Sequence, residues 1–291
     1  ALLTDEPEPS WALLAPSRAS VLQTQIDRIV IEAPADNTAL LPPTQAQGLA
    51  YLPGALTTVF DGQRCFEAGF LARPVTGDPD DLANPSGLEV GTYLYLFEWE
   101  HFDAKGNRHT SAVSPVVTVA VEVESKELTF TVLTETYTRR ADASDTRDNA
   151  VRLVVYRTQK DSTGPFYRMT TPTALAYDGS NELYTPLANN AFVDVVTYVD
   201  NTDDTELTAL GYGFYTGNLA GAIPGAIQDP GPVPPSRFLL NHKQRLFGIS
   251  GDDPKTIFFS RFFVAGAAPA FPPVLAVSLS DTAEAAPAPA P

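Results

Sequence analysis

The sequence has few of the residues that form covalent cross-links and metal sites. Its 291 residues include one cysteine, Cys65, together with one methionine and three histidines. A single cysteine excludes an intrachain disulfide and a metal site built on several cysteines, so we expect Cys65 to be a small buried side chain. No run of 18 apolar residues occurs, which predicts that no helix of the chain spans a membrane.

Signals for export are also missing. The first residues include Asp5, Glu6 and Glu8, whereas a secretory signal peptide begins with basic residues. No acceptor sequence for N-glycosylation occurs. These features favour synthesis in the cytoplasm followed by assembly. The start at Ala1 and the Ala-Pro repeats at the other end suggest part of a longer or trimmed product.

Basic residues are scarce. The chain has 19 Lys and Arg against 35 Asp and Glu, a formal net charge of −16. Affinity for duplex DNA depends on neutralising phosphates with Lys and Arg, so this balance makes sequence-reading DNA binding an unfavourable interpretation. The acidity either keeps the protein soluble or forms a channel wall along which DNA slides without binding. Asp78, Asp80 and Asp81 are candidates for such a wall, and both interpretations remain open.

Proline is abundant and interrupts helical patterns, with 26 Pro against 19 Gly. Strand patterns take the place of helices, which predicts an all-β fold. In residues 91–100, Tyr93, Tyr95, Phe97 and Trp99 alternate on one face. We expect that face to pack into a core, although an exposed aromatic face could bind sugar or a partner.

Further strands follow at spacings of about ten residues, which is typical of a β-sandwich over residues 88–202. Hairpins are predicted on either side, at 49–70 around an Asp61-Gly62 type I′ turn and at 238–263. Residues 72–90 are predicted as a loop. The predicted organisation is an N-terminal arm and hairpin (1–87), the sandwich (88–202), a Gly/Pro-rich connector (203–236), and a hairpin with a flexible tail (237–291), with extended Pro/Ala-rich segments at both termini (1–20 and 264–291).

The residues that carry chemistry do not form a recognisable motif. His101 and His109 could hold a metal, but the nearby carboxylates complete no familiar ligand spacing, and His242 reads as a surface residue. The acidic run at 200–204 could bind Ca²⁺ through oxygen ligands, although it lacks the spacing of an EF-hand and fits a solvated turn better. No nucleophile elbow, phosphate-binding loop or dinucleotide fingerprint occurs. We therefore predict no catalytic, cofactor-binding or metal-binding residues, and no enzyme activity.

Two resemblances add to these patterns. Residues 91–95, 103–107 and 111–115, then 154–158 and 164–167, resemble the strands and turns of a fibronectin type III domain, with residues 170–191 as an insertion. Residues 60–63, 67–70, 241–247 and 256–260 resemble the nozzle proteins (tail tubular, or packaged-DNA stabilising) of short-tailed bacteriophages. This second resemblance implies propeller-type hairpin elements around the fibronectin-like β-sandwich.

The nozzle resemblance implies a structural protein of the virion. Such a protein would form an oligomeric ring around the DNA exit channel of the tail and contact other tail or head–tail connector proteins, while its contact with genomic DNA would be passive. Two alternatives remain open: a host-surface or carbohydrate-binding module on the phage exterior, and an accessory domain that acts on glycosides.

Overall fold

The computed structural model describes residues 11–13, 21–24, 29–32, 43–123, 126–140, 150–170, 187–190, 193–215, 230–272 and 275–278. The described chain is almost entirely β, which confirms the predicted all-β class. Among these residues no helix has the length and apolarity needed to cross a bilayer. Most of the predicted insertion at 170–191 lies outside the described residues.

The N-terminal residues form a small antiparallel sheet. Its strands are β1 (Trp11–Leu13), β2 (Val21–Thr24) and β3 (Ile29–Glu32), in the order β1-β2-β3. The β-branched run from Val21 to Ile31 therefore forms two strands. Residues 11–13, which were predicted as part of an extended arm, form a strand because they pair with β2.

A four-stranded antiparallel meander follows, made of β4 (Thr44–Ala46), β5 (Leu49–Leu52), β6 (Thr58–Phe60) and β7 (Cys65–Glu67). Gln47 and Gly48 join β4 to β5 with φ of 54° and 76°, the geometry of a type I′ turn. The type I′ turn predicted at Asp61-Gly62 is wrong, since Phe60 pairs with Cys65 and four residues form the loop. Asp61 Oδ1 accepts the N–H groups of Gln63 and Arg64 at 2.8 and 2.7 Å, and this bonding shapes the longer turn.

The middle of the chain forms a β-sandwich. Its strands are β8 (Asp80–Leu88), β9 (Gly91–Phe102), β10 (Arg108–Thr110), β11 (Val117–Val121), β12 (Lys126–Leu133), β13 (Arg152–Arg157), β14 (Tyr167–Arg168), β15 (Leu187–Ala188) and β16 (Val195–Asp200). In the first sheet the long strand β9 is central. Strands β10 and β11 pair with one edge of β9, β13 pairs with the other, and β14 and β15 pair with β13. The second sheet has three strands in the order β16-β12-β8.

The aromatic stripe of β9 lies in the sandwich core, as predicted. Tyr93, Tyr95, Phe97 and Trp99 are buried and face the second sheet. Tyr95 and Phe97 pack on Phe130 of β12 with ring centroids 4.5 and 5.3 Å apart. These aromatic contacts hold the two sheets together.

Two serines extend the hydrogen-bond ladder of β9 where the neighbouring chain is not a regular strand. The N–H of Trp99 donates to Ser111 Oγ at 2.9 Å, and the N–H of Phe97 donates to Ser114 Oγ at 3.1 Å. In return, the N–H groups of Ser111 and Ser114 donate to the carbonyls of Trp99 and Phe97. The segment between β10 and β11 thus satisfies the buried edge of β9.

The predicted loop at 72–90 is wrong over its second half, because Asp80–Leu88 forms edge strand β8. The strand was not predicted because its residues are mostly polar. Its hydrogen-bond ladder with β12 uses only backbone groups, so polar side chains are compatible with it. Gly87 allows the close approach, since a Cβ there would lie 2.2 Å from the carbonyl oxygen of Lys126. The order also differs from immunoglobulin-type sandwiches, in which the first two strands are neighbours; here β8 and β9 lie in different sheets.

The predicted connector at 203–236 includes a short helix, α1 (Asp204–Ala209), whose N-cap Asp203 accepts the N–H of Glu206. The last sheet is a meander of β17 (Ser236–His242), β18 (Arg245–Ser250), β19 (Thr256–Phe259) and β20 (Ala276–Ser278). Lys243 and Gln244, with φ of 46° and 60°, form the two-residue turn between β17 and β18. Residues 276–278, predicted as part of an extended arm, pair with β19, and the predicted flexible tail from 279 lies outside the described residues.

The β4–β7 and β17–β20 sheets, here called the terminal sheets, share one hydrophobic core although the sandwich separates them in sequence. Leu49, Val59 and Phe66 of the first sheet are buried together with Leu239, Leu246 and Phe258 of the second. Strand β17 lies along β4, where Thr44 Oγ1 donates to the carbonyl of Leu239 at 2.7 Å and Asn241 donates to that of Gln45 at 2.9 Å. The segments predicted as 1–87 and 237–291 therefore contribute to a common core.

Candidate functional site at the junction

Arg108 joins the sandwich to the C-terminal part of the chain. Its N–H donates to the carbonyl of Gly266 at 2.8 Å, and its carbonyl accepts the N–H of Ala268 at 2.9 Å. Its guanidinium turns to the outer face of β9 and contacts the carboxylates of Glu98 and Glu100. One residue thus links the backbone of the 264–271 segment to a charged cluster on the sandwich.

Glu100 is the centre of this charged cluster. It is completely buried and contacts three arginines, Arg108, Arg152 and Arg168. Arg168 binds both carboxylate oxygens, at 2.8 and 3.0 Å, and Arg152 Nε donates at 2.8 Å. Burial opposes the charge, but the hydrogen bond from Arg168 and the nearby positive charges lower the pKa of Glu100 to about 2. The carboxylate therefore stays ionised and holds three strands and the β10 edge together.

Glu98 lies two residues away on the same face of β9 and behaves differently. Its Oε2 accepts hydrogen bonds from the Tyr156 hydroxyl at 2.8 Å and from Arg108 Nη2 at 3.2 Å. Burial is the main reason that the pKa of Glu98 rises to about 7, which outweighs the opposing effect of Arg108. Glu98 can therefore exchange a proton near neutral pH while Glu100 cannot.

A cavity of about 290 Å³ opens at the junction, which is the region where the sandwich meets the terminal sheets. Glu98, Arg108 and Tyr156 provide polar groups on one side, and Phe214, Tyr215 and Phe262 provide aromatic surface. Phe214 and Phe262 are largely exposed, and the Tyr215 ring packs edge-on to Tyr156 with centroids 5.4 Å apart. This combination can hold a small polar molecule through hydrogen bonds and ring contacts.

The histidine pair predicted as a possible metal site has a packing role in the described structure. His101 and His109 are opposite each other on β9 and β10, and both rings contact Phe66 of β7, with centroids 5.4 and 5.3 Å away. Asp103 Oδ2 lies 2.9 Å from His109 Nε2. Burial lowers the pKa of both histidines, which keeps the rings neutral. Among the described residues, no group of three or more His, Cys, Asp or Glu is arranged to hold a metal ion.

The acidic run at 200–204 is not the solvated turn that was predicted. Asp200 is completely buried, accepts a hydrogen bond from the Tyr95 hydroxyl at 2.7 Å and pairs with Arg157 at 2.8 Å. Asp204 pairs with the same arginine at 3.1 Å, and Asp203 caps α1. Arg157 thus supplies the positive charge for Asp200 and Asp204 in place of the calcium ion considered from the sequence.

Another buried ion pair connects the first terminal sheet to the segment that follows β12. Arg140 contacts the Glu67 carboxylate, and its Nη2 donates to the Glu67 carbonyl at 2.8 Å. The Arg140 guanidinium also stacks on Phe66 and Phe70, at 4.8 and 4.2 Å from the ring centroids. Because Glu67 is the last residue of β7, the pair anchors the end of this strand that lies away from the hairpin turn.

The remaining residues singled out in the sequence lie outside the junction. Cys65 is half-buried, and burial raises the pKa of its thiol to about 12, so the thiolate needed for reactivity is scarce. His242 is exposed at the end of β17, and Asp78, Asp80 and Asp81 are exposed before and along the edge strand β8.

The sequence interpretation missed the Glu98–Glu100 cluster. A signal was present, because two carboxylates alternate with the aromatic stripe of a strand that was predicted to be buried, and buried carboxylates need cationic partners. The partners could not be found from the sequence, since Arg152 and Arg168 are 52 and 68 residues away from Glu100.

Comparison with known proteins gives no relative: no family model matches the chain, and neither a curated protein nor a solved structure matches it. The choice of a function therefore depends on the sequence patterns and on the geometry of the chain itself.

Proposed function

We propose that the chain is a structural protein of a bacteriophage tail and forms part of an oligomeric ring, or nozzle, around the DNA exit channel. The proposal places it in the virion after synthesis in the host cytoplasm, next to other tail or head–tail connector proteins. It assigns the chain no catalytic step, no cofactor and no metal. Its contact with genomic DNA is passive.

The observation that carries the proposal is the shared core of the two terminal sheets. Four-stranded antiparallel meanders are the units of β-propellers, and here two of them pack together with the sandwich inserted between them in sequence. This arrangement agrees with the architecture implied by the nozzle resemblance, in which a fibronectin-like sandwich interrupts propeller-type elements. The net charge of −16 supports a surface that DNA passes without binding.

Buried ion pairs at the junction support a mechanical role. Glu100, Glu67 and Asp200 each bind at least one arginine away from water, and the first two lie where the sandwich meets neighbouring segments. Separating such a pair leaves an uncompensated buried charge, which costs about 3–5 kcal/mol. Connections of this kind suit a part that transmits load between rings.

The test is to locate the chain in the particle. Mass spectrometry of purified virions should detect the protein in stoichiometric amounts, and a density map should place it in a ring around the tail channel. Finding it only in the lysate, or as a monomer on the outside of the capsid, would overturn the proposal.

A specific observation also favours the second candidate, a carbohydrate-binding module on the phage exterior. The junction cavity joins hydrogen-bonding groups of Glu98, Arg108 and Tyr156 to the aromatic surfaces of Phe214 and Phe262, as sugar-binding sites require. Calorimetric titration with host-surface oligosaccharides should then give heat that Phe262→Ala abolishes. Equal binding by the parent and the variant, or none by either, would remove this candidate.

A further inference from the structure

The outer face of the second terminal sheet is apolar, although the sheet already buries its inner face. In the register of β17 to β20, Phe238, Ile249, Ile257 and Val277 form one cross-strand row. Leu240, Phe247 and Phe259 form the next row. We call these seven side chains the terminal face. Phe238, Leu240 and Val277 are 40%, 49% and 52% exposed.

Such a face is unusual for a sheet with water on one side. An antiparallel sheet that covers one core alternates apolar and polar residues along each strand. In β18, however, Leu246 is buried in the inner core while Phe247 and Ile249 on the opposite face are also apolar. Clustered apolar residues that remain exposed mark an interaction surface.

The outer side of the three-stranded sandwich sheet carries a second set of exposed apolar side chains, with threonines between them. Leu133 of β12 pairs with Val195 of β16, and the bridge between Thr76 and Val132 places Val75 beside Leu133. Val193 and Val199 on the β16 side and Leu82 of β8 are exposed as well. We call this surface, made of Val75, Leu82, Leu133, Val193, Val195 and Val199, the sandwich face.

The two faces carry opposite charge. Arg245 lies on the terminal face, where its guanidinium stacks 5.4 Å from the ring centroid of Phe259. The surrounding residues 236–278 have five Lys or Arg against two Asp in a chain whose net charge is −16. Asp80 lies on the same side of β8 as Leu82, and Asp78 and Asp194 are exposed at the border of the sandwich face. Lys126 of β12 is paired with Asp81 at 3.1 Å, so these two charges offset each other. Each face therefore has the apolar centre and the charged border that complement the other.

We infer that the terminal face of one copy packs against the sandwich face of the next, so that copies of this chain associate head to tail. Two different faces on one chain make a heterologous contact, which repeats from copy to copy and closes into a ring when the rotation allows. This inference rests on the proposed ring and names the surfaces that would form it. Face-to-face burial also removes from water the aromatic rows of the terminal face.

The test uses two full-length variants, each with one face blocked. Leu240→Glu places a negative charge on the terminal face, opposite the acidic border of its partner, and Leu133→Lys places a positive charge on the sandwich face. Both side chains are exposed, 49% and 55%, so the folded chain tolerates the changes. Light scattering should give a high mass for the parent and the monomer mass of 31.2 kDa for each variant alone.

Mixing the two variants is the decisive measurement. Each retains the face that the other has lost, so the mixture should form one-to-one dimers of twice the monomer mass and nothing larger. Val123→Glu and Val123→Lys are matched controls, because Val123 is 61% exposed and lies on neither face. Both controls should keep the mass of the parent.

Three results would overturn the inference. A parent that stays monomeric at high concentration excludes the contact. Variants that keep the parent mass place the contact elsewhere, and loss of assembly on Leu240→Glu alone indicates a symmetric dimer through the terminal face. If the chain were still found in a tail ring, the proposed function would be kept and only the assignment of these two faces to the contact would be rejected.

Discussion

Glu100 is a carboxylate that the fold keeps charged by surrounding it with cations. Three arginines from β10, β13 and β14 converge on it, and its side chain has no contact with water. Taking the charges out of water is expensive, and the three ion pairs offset that expense only while all partners are present. Glu100 is therefore structurally important because its loss would leave three arginines without their shared anion.

Replacing the carboxylate tests this view. Glu100→Gln keeps the shape but leaves the arginines without their anion, so we expect the free energy of unfolding to fall by about 3–5 kcal/mol. Urea denaturation followed by circular dichroism measures the change. The matched control is Asp81→Asn, which removes the partner of Lys126 from an exposed pair and should cost at most about 1 kcal/mol. Equal losses in both variants would contradict the assigned role of Glu100.

Glu98 makes the stability of the protein depend on pH. Its pKa is about 7 in the folded chain and 4.5 as the ordinary value, so the folded state binds more protons between these limits. Stability therefore falls as pH rises from about 4.5 to 7, by roughly 3 kcal/mol for this one group. Above pH 7 the loss is complete, because the carboxyl is ionised in both states.

Glu98→Gln should remove this dependence, since the amide resembles the neutral carboxyl and does not titrate. The measurement is the difference in unfolding free energy between the parent and the variant at pH 5 and at pH 8. We expect the parent to lose up to roughly 3 kcal/mol relative to the variant over that range. Taking the difference cancels the titration of His101 and His109. A difference that does not change with pH would show that Glu98 is ionised throughout.

At the scale of secondary-structure elements, side-chain alternation was enough to predict the strands that face a core. Strand β9 was identified from its aromatic stripe, because the residues that face the core are alternate residues of the strand itself. Strand β8 was missed, since an edge strand held by backbone bonds needs no apolar side chains. Helix α1 was missed although Asp203 and Glu206 have the spacing of an N-terminal cap.

The ion pairs of the candidate site mark the limit of sequence reasoning. Asp200 reads as a solvated residue in an acidic run, and only the tertiary fold brings Arg157 of β13 next to it. A lone carboxylate and a distant arginine carry no local signal of their pairing. Turns, in contrast, depend mainly on their own residues and are easier to predict. The turn at Lys243 and Gln244 is an exception, because both residues adopt positive φ without the Asn or Gly that usually occupies such positions.

The serine segment beside β9 gives a prediction for a single element. Ser111→Ala and Ser114→Ala each remove the acceptor of a buried N–H on β9, which leaves a donor unsatisfied. We expect each change to lower the free energy of unfolding by about 1–3 kcal/mol. Hydrogen exchange should also become faster at Trp99 for the first variant and at Phe97 for the second. The control is Ser162→Ala, whose hydroxyl bonds locally in an exposed turn and should change stability little.

At the scale of the whole molecule, the contacts across the junction connect two hydrophobic cores. Phe66 belongs to the core of the terminal sheets, and its ring also contacts His101 and His109 of the sandwich. Arg108 adds two backbone hydrogen bonds to the C-terminal segment, and Arg140 adds an ion pair to β7. With connections on several sides, neither unit can open without exposing part of the other.

We therefore expect the sandwich and the terminal sheets to unfold in one cooperative transition. In a Trp11→Phe background the fluorescence reports Trp99 alone, because the chain has two tryptophans, and Trp99 lies in the sandwich core. Far-UV circular dichroism reports all the sheets, so the two urea curves should coincide. Phe66→Ala should lower the free energy of unfolding by about 3–5 kcal/mol and shift both curves together, although the residue belongs to a terminal sheet. Val123→Ala, an exposed position, should leave both curves in place. If Phe66→Ala moved the dichroism curve while Trp99 kept its midpoint, the two cores would be independent and the junction would carry no mechanical coupling.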